Sequence, residues 1–167
     1  MTPWILVGIA LASGDPGQLE VTFSGPYDDH KCVEQKQVSE AQDLKYHEYI
    51  RKLNAKNANS QIPIPEAPLP EIRKMGCSQL NELGSYVVRV YTTPPPMTPW
   101  ILISENSNPD EVNVITRGPY RRERECTRVA EVEEPYLKGK MGCMPLSELP
   151  SYIVRVFTPL PLPGGAK

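Results

Sequence analysis

Four cysteines, two histidines and a cluster of arginines are the residues best equipped for chemistry in this 167-residue chain. Cys32 and Cys77 stand 45 positions apart, and Cys126 and Cys143 stand 17 apart. None has the close partner of a zinc ribbon or a redox CxxC pair. Each half of the chain has one cysteine in the first turns of an expected helix and one on the strand that follows. That placement admits one disulfide per half, Cys32–Cys77 and Cys126–Cys143. It also admits buried free thiols acting as small hydrophobes. A four-cysteine zinc site would need the two pairs to converge.

His30 and His47 have no counterpart in the second half and fit solvated positions on a helix. Asp28 and Asp29 form a carboxylate pair, yet Arg121 and Arg122 occupy the corresponding place later. Anions at a helix start are the plainer account, because exposed N–H groups and the dipole favour them there. Cys32 lies two residues from His30, a spacing that turns two helical side chains to different faces. No phosphate loop, nucleophile elbow or HExxH pattern is present. No catalytic, cofactor or metal set is expected.

Arginines are the remaining candidates. Arg121, Arg122, Arg124 and Arg128 follow Arg117 and alternate with Glu123 and Glu125. They suit a phosphate or an acidic partner at a helix start, or a solvated face with local ion pairs. Arg89 and Arg155 are expected mid-strand, lining a cleft between the halves or reaching solvent.

The elements that would position these residues recur. Residues 1–6 equal residues 97–102, and Gly25-Pro26-Tyr27 equals Gly118-Pro119-Tyr120. Lys74-Met75-Gly76-Cys77 equals Lys140-Met141-Gly142-Cys143, and Glu82-Leu83 equals Glu148-Leu149. Ser85-Tyr86-Val87-Val88-Arg89-Val90 matches Ser151-Tyr152-Ile153-Val154-Arg155-Val156. Five collinear blocks indicate a tandem duplication, with copies at 1–96 and 97–167. The first copy is longer through an insertion at about 54–72.

Each copy begins with a hairpin, with strands at 4–9 and 19–23, then at 100–103 and 112–116. A helix follows at about 28–56, with Cys32, Val38, Tyr46, Tyr49, Ile50 and Leu53 on one face. Its shorter counterpart lies near 121–134, with Cys126, Val129 and Ala130 as its apolar stripe. Pro26 and Pro119 are expected at the helix entries. The Lys-Met-Gly-Cys blocks fit short strands. The β-branched segments 86–92 and 152–158 give the strongest strand signal. The expected fold is therefore α+β: two ββαβ(β) units with antiparallel sheets, one helix each, packed as a pseudo-two-fold body. A unit of about 70 residues is marginal alone, so the copies should share a core.

Ten of the nineteen prolines lie in 62–70, 94–96 and 159–163, stretches suited to extended arms. A net charge of −2 gives no general drive towards nucleic acid or an anionic membrane. The apolar start at 1–13 lacks a preceding Lys or Arg and recurs mid-chain, so a structural element is expected there rather than a signal peptide. No apolar stretch has the length of a bilayer span.

The hairpin strand with Trp4 or Trp100, the Gly-Pro-Tyr turn and the cysteine pairs Cys32/Cys77 and Cys126/Cys143 resemble a large group of very short phage and prophage proteins. Those ββαβ proteins are mostly of unassigned function. The resemblance implies a viral origin, in a virion or the host cytoplasm, and carries over no catalytic residue. The closing Ser-Tyr-x-Val-Arg-Val segment and the duplication depart from it. The expected role is a non-enzymatic structural or interaction protein that engages protein partners or itself. The alternative is a protein binding a small anion or nucleotide between the copies through Arg89, Arg155 and the 121–128 cluster.

Overall fold

The structure is a computed structural model and describes residues 2–11, 18–60, 66, 72–91, 99–108, 111–133 and 139–158. Trp4–Leu11 (β1) and Leu19–Tyr27 (β2) pair antiparallel, with Val7 opposite Phe23. Trp100–Ser107 (β4) and Val112–Tyr120 (β5) do the same, with Ile103 opposite Thr116. Lys74–Gln79 (β3) adds to the free side of β1, and Lys140–Pro145 (β6) to that of β4. The two hairpins join through β2 and β5, where Phe23 faces Val114. One six-stranded antiparallel sheet results, in the order β3-β1-β2-β5-β4-β6. This corrects the expectation of separate sheets.

Among the described residues four helices cover the sheet. Asp29–Ala58 (α1) and Glu123–Glu133 (α3) follow β2 and β5. Leu80–Tyr91 (α2) and Leu149–Phe157 (α4) follow β3 and β6. The segments expected as closing strands, 86–92 and 152–158, are thus helical as far as Tyr91 and Phe157, and the expectation of one helix per copy fails with them. Physically, Leu80, Leu83, Val87 and Tyr91 recur at helical spacing and are all buried. Burying a continuous apolar stripe outweighs β propensities that span only about 1 kcal/mol.

Alternation along the strands divides the core. Ile5, Val7, Val21, Phe23, Ile101, Ile103 and Val114 face α2 and α4 in the main cluster. The helices α2 and α4 pack on each other where Gly84 meets Pro150, so this face is closed. On the other face two smaller clusters form around Leu6, Tyr27 and Cys32, and around Leu102, Tyr120 and Cys126. There α1 lies mainly on β3 and β1, and α3 mainly on β6 and β4.

Disulfides Cys32–Cys77 and Cys126–Cys143 tie α1 to β3 and α3 to β6, each with Cα atoms 6.1 Å apart. Asp28 caps α1, its carboxylate accepting from the Lys31 N–H at 2.7 Å. The apolar face expected for α1 is corrected. Only Cys32 and Ile50 are buried, whereas Val38, Tyr46 and Tyr49 are exposed. A 30-residue helix is roughly 45 Å long, and a nine-residue strand only about 30 Å, so the sheet cannot cover all of α1. The Gly-Pro-Tyr blocks end β2 and β5 instead of opening the helices. Gly25 has φ +156°, a conformation L residues rarely adopt. The proline stretches at 94–96 and 159–163, and all of 62–70 except Glu66, lie outside the described residues.

One polar group enters the main core. The Tyr91 hydroxyl meets Thr116 Oγ1 at 2.7 Å, and Thr116 Oγ1 donates to the Val21 carbonyl at 3.3 Å. Burial holds the Tyr91 phenol above its ordinary pKa. Tyr91→Phe should cost about 1 kcal/mol. Thr116→Val should cost more, about 1–3 kcal/mol, because it leaves a buried hydroxyl unpaired. The double variant should lose less than the sum, and urea titration of all three measures the coupling.

Candidate functional site

The opposite face of β2 and β5 is built from what the main core leaves over. Residues that alternate with Val21, Phe23, Val114 and Thr116 point away from α2 and α4. They form three cross-strand pairs: Glu20 with Arg117, Thr22 with Ile115, and Ser24 with Asn113. Because α1 and α3 lie towards the two sheet edges, these pairs floor a trough between them, and Ile115 remains 38% exposed. Ser24 Oγ donates to Asn113 Oδ1 at 2.5 Å, which fixes one end of the floor.

Two adjoining cavities occupy the trough. One, of about 290 Å³, is lined by Glu20, Leu102, Ser104, Ile115, Arg117, Glu133 and Met141. The other, of about 230 Å³, is bounded by Thr22, Ser24, Arg73, Asn106 and Asn113, and shares Ser104 and Ile115 with the first.

Arg117 is the hub of the larger cavity. Its Nη1 donates to Glu133 Oε1 at 2.6 Å and its Nη2 to Glu20 Oε2 at 3.1 Å. It thereby joins β5, β2 and the last turn of α3. Burial alone would lower the Arg117 pKa, but the two carboxylates outweigh it and leave the pKa raised. The guanidinium therefore stays charged, and its Nε is buried without a hydrogen-bond partner among the described residues.

Arg73 closes the other end. Its Nε and Nη2 reach Asp43 of α1 at 2.9 and 2.7 Å, a bidentate pair. Its stem passes over Gly8 of β1. A Cβ at that position would lie 2.7 Å from Thr22 Oγ1 and 3.6 Å from Arg73 Cδ. Glycine at position 8 thus makes room for the Thr22 hydroxyl, with the Arg73 stem in ordinary contact beside it. The hydrogen bond to Asp43 is the main reason the Arg73 pKa is raised.

The arginines singled out from the sequence lie elsewhere. Arg122, Arg124 and Arg128 line an exposed depression on α3 with Glu123, Glu125, Thr127 and Glu131, and Arg121 is exposed just before it. Arg89, on α2, borders a shallow depression with Val88, Pro150 and Val154. Arg155, on α4, borders another beside Glu105, Lys140 and Tyr152. Its guanidinium lies 5.7 Å from the centre of the Tyr152 ring. Tyr152 donates to Glu105 Oε2 at 2.6 Å, and burial with that bond raises the phenol pKa. Arg89 and Arg155 therefore sit on helices, not mid-strand. The arginines of α3 lie on the opposite face of the sheet from them.

Comparison with protein-family models, with curated proteins and with solved structures gives no match. The trough therefore has to be read from its own chemistry. His30 is exposed and His47 half-buried, both on α1. All four cysteines are in disulfides. Among the described residues no group of three or more His, Cys, Asp or Glu could hold a metal. No described helix is long and apolar enough to cross a membrane.

Sequence reasoning named Arg117 but missed its pairing with Glu20 and Glu133, and it missed Glu20, Arg73 and the trough itself. Glu20 and Thr22 carried a usable signal, being the polar members of an alternating strand. Arg73 carried none, since its place is set by Asp43, 30 positions earlier on another element.

Proposed function

We propose that this chain is a non-enzymatic interaction protein built from a duplicated unit. Each unit, two strands, a helix, a strand and a second helix, would meet its copy through β2 and β5. The five collinear sequence matches support the duplication, as does the equivalent pairing of β1 with β2 and β3, and of β4 with β5 and β6. A phage-type origin, as a virion component, belongs to the same reading.

One observation carries the interaction role. Among the described residues the two faces of the sheet are treated differently: α2 and α4 close one by packing together, whereas α1 and α3 lie mainly towards the edges of the other and leave much of β2 and β5 uncovered. An exposed sheet floor between two flanking helices suits an extended protein segment, which can offer side chains to alternate floor positions. Disulfides on both flanks would hold the walls in place without a partner, and preorganisation of this kind reduces the ordering cost of binding.

Ser104 borders both cavities. Ser104→Trp should fill the trough and reduce partner capture from the native source at least tenfold. Val132→Ser, on the exposed side of α3, should leave capture unchanged. A partner set indifferent to Ser104→Trp would overturn the proposal.

A further inference from the structure

We propose that the α3 end of the trough is a pocket for a basic side chain, lysine or arginine, of the bound segment. This rests on the reading of the trough as the docking site and names the chemistry of its occupant. The larger cavity contains two carboxylates, Glu20 and Glu133, and one guanidinium, Arg117. Arg117 satisfies one oxygen of each carboxylate, Glu20 Oε2 and Glu133 Oε1. One negative charge is left in excess, beside walls of Leu102, Ile115 and Met141. An incoming cation adds a partner to this network without displacing Arg117.

The polarity of α3 adds to that excess. Glu133 is its last residue, and its last turn carries no basic side chain. The carbonyl end of the helix dipole favours positive charge in the last turn, and Arg117, held between Glu133 and Glu20, already shares in that balance. An anion would meet two carboxylates against one guanidinium that both already hold, so the net charge of the pocket disfavours acidic segments.

Lysine and arginine combine the two properties the cavity asks for. Their aliphatic stems suit the Leu102, Ile115 and Met141 walls, and their charged heads suit the carboxylates. A short polar residue would leave the apolar walls wet. A leucine would leave the excess charge unpaired. The second cavity has hydroxyl and amide groups at Thr22, Ser24 and Asn113, with its arginine already paired to Asp43. It suits backbone or neutral polar groups of the same segment.

The test is selection of a random linear peptide library on the immobilised intact protein. Clones are counter-screened on Ser104→Trp and on Ile115→Trp, each checked for native circular dichroism. The expected result is a set of peptides lost on both variants that shares a lysine or arginine. Replacing that residue with norleucine should weaken binding about tenfold or more, and Glu133→Gln should weaken the parent peptide similarly. Trough-dependent peptides that lack a shared basic residue, or that tolerate norleucine, would overturn the basic-pocket proposal and leave the trough reading standing. Peptides that bind equally to both filled variants would overturn the trough reading itself.

Discussion

Removing the Cys32–Cys77 bridge should cost about 4 kcal/mol, and removing Cys126–Cys143 about 3 kcal/mol, by the loop-entropy relation. Paired Cys→Ala variants compared by urea denaturation measure both. The order follows from sequence separations of 45 and 17 residues, because the longer loop gains more freedom when unfolded. Both removals together should cost about 7 kcal/mol, which is comparable to the whole stability of many domains. The fully reduced chain is therefore expected to lose cooperative unfolding.

The first bridge should also have a local effect. Only Cys32 and Ile50 of α1 are buried, so few contacts besides the bridge and the Arg73–Asp43 pair hold the helix to the sheet. Without the bridge, amide exchange should accelerate over 29–58 before it does in β1 and β2. If the shorter bridge proves the costlier, the freedom gained by the unfolded chain does not govern the loss.

The parts of this fold legible in the sequence are those governed by local rules. The hairpin strands show alternation, and the Asp28 cap precedes a helix that runs from Asp29 to Ala58. The cysteine positions showed which elements a bridge could join. Three features depended on tertiary context. The joint between β2 and β5 pairs residues far apart in the chain, 89 positions at Ser24 and Asn113, and no local pattern specifies it. The trough exists because α1 and α3 stand towards the edges of one shared sheet, and that geometry follows from the joint. The arginines found by composition are exposed, while the one that organises the larger cavity, Arg117, stood out only as the first of a charged run.

Helices α2 and α4 look like strands in the sequence because three of the four residues Val87, Val88, Arg89 and Val90 are β-branched, as are three of Ile153, Val154, Arg155 and Val156. Their side chains make a sharp test of the element type. A strand would place Val88 with Tyr86 and Val90 on one face, and Val87 with Arg89 and Tyr91 on the other. The helix instead places Val87 with Leu83 and Tyr91 in the core, where it is 1% exposed, and leaves Val88 41% exposed. Val87→Asp should therefore cost more than about 4 kcal/mol, since it puts an unpaired carboxylate among Leu83, Phe23 and Ile153. Val88→Asp should change stability by roughly 0.5–1 kcal/mol at most. Ile153→Asp and Val154→Asp should differ in the same way in α4, where Ile153 is fully buried and Val154 exposed. Thermal melts of the four variants decide the matter. Equal losses at Val87 and Val88 would exclude a one-sided helix, whereas a large loss confined to positions 87 and 153 requires one. The second outcome also accounts for the closed face of the sheet, because only helices burying Leu83, Val87 and Tyr91, with Leu149, Ile153 and Phe157, can seal it and leave the trough as the exposed floor.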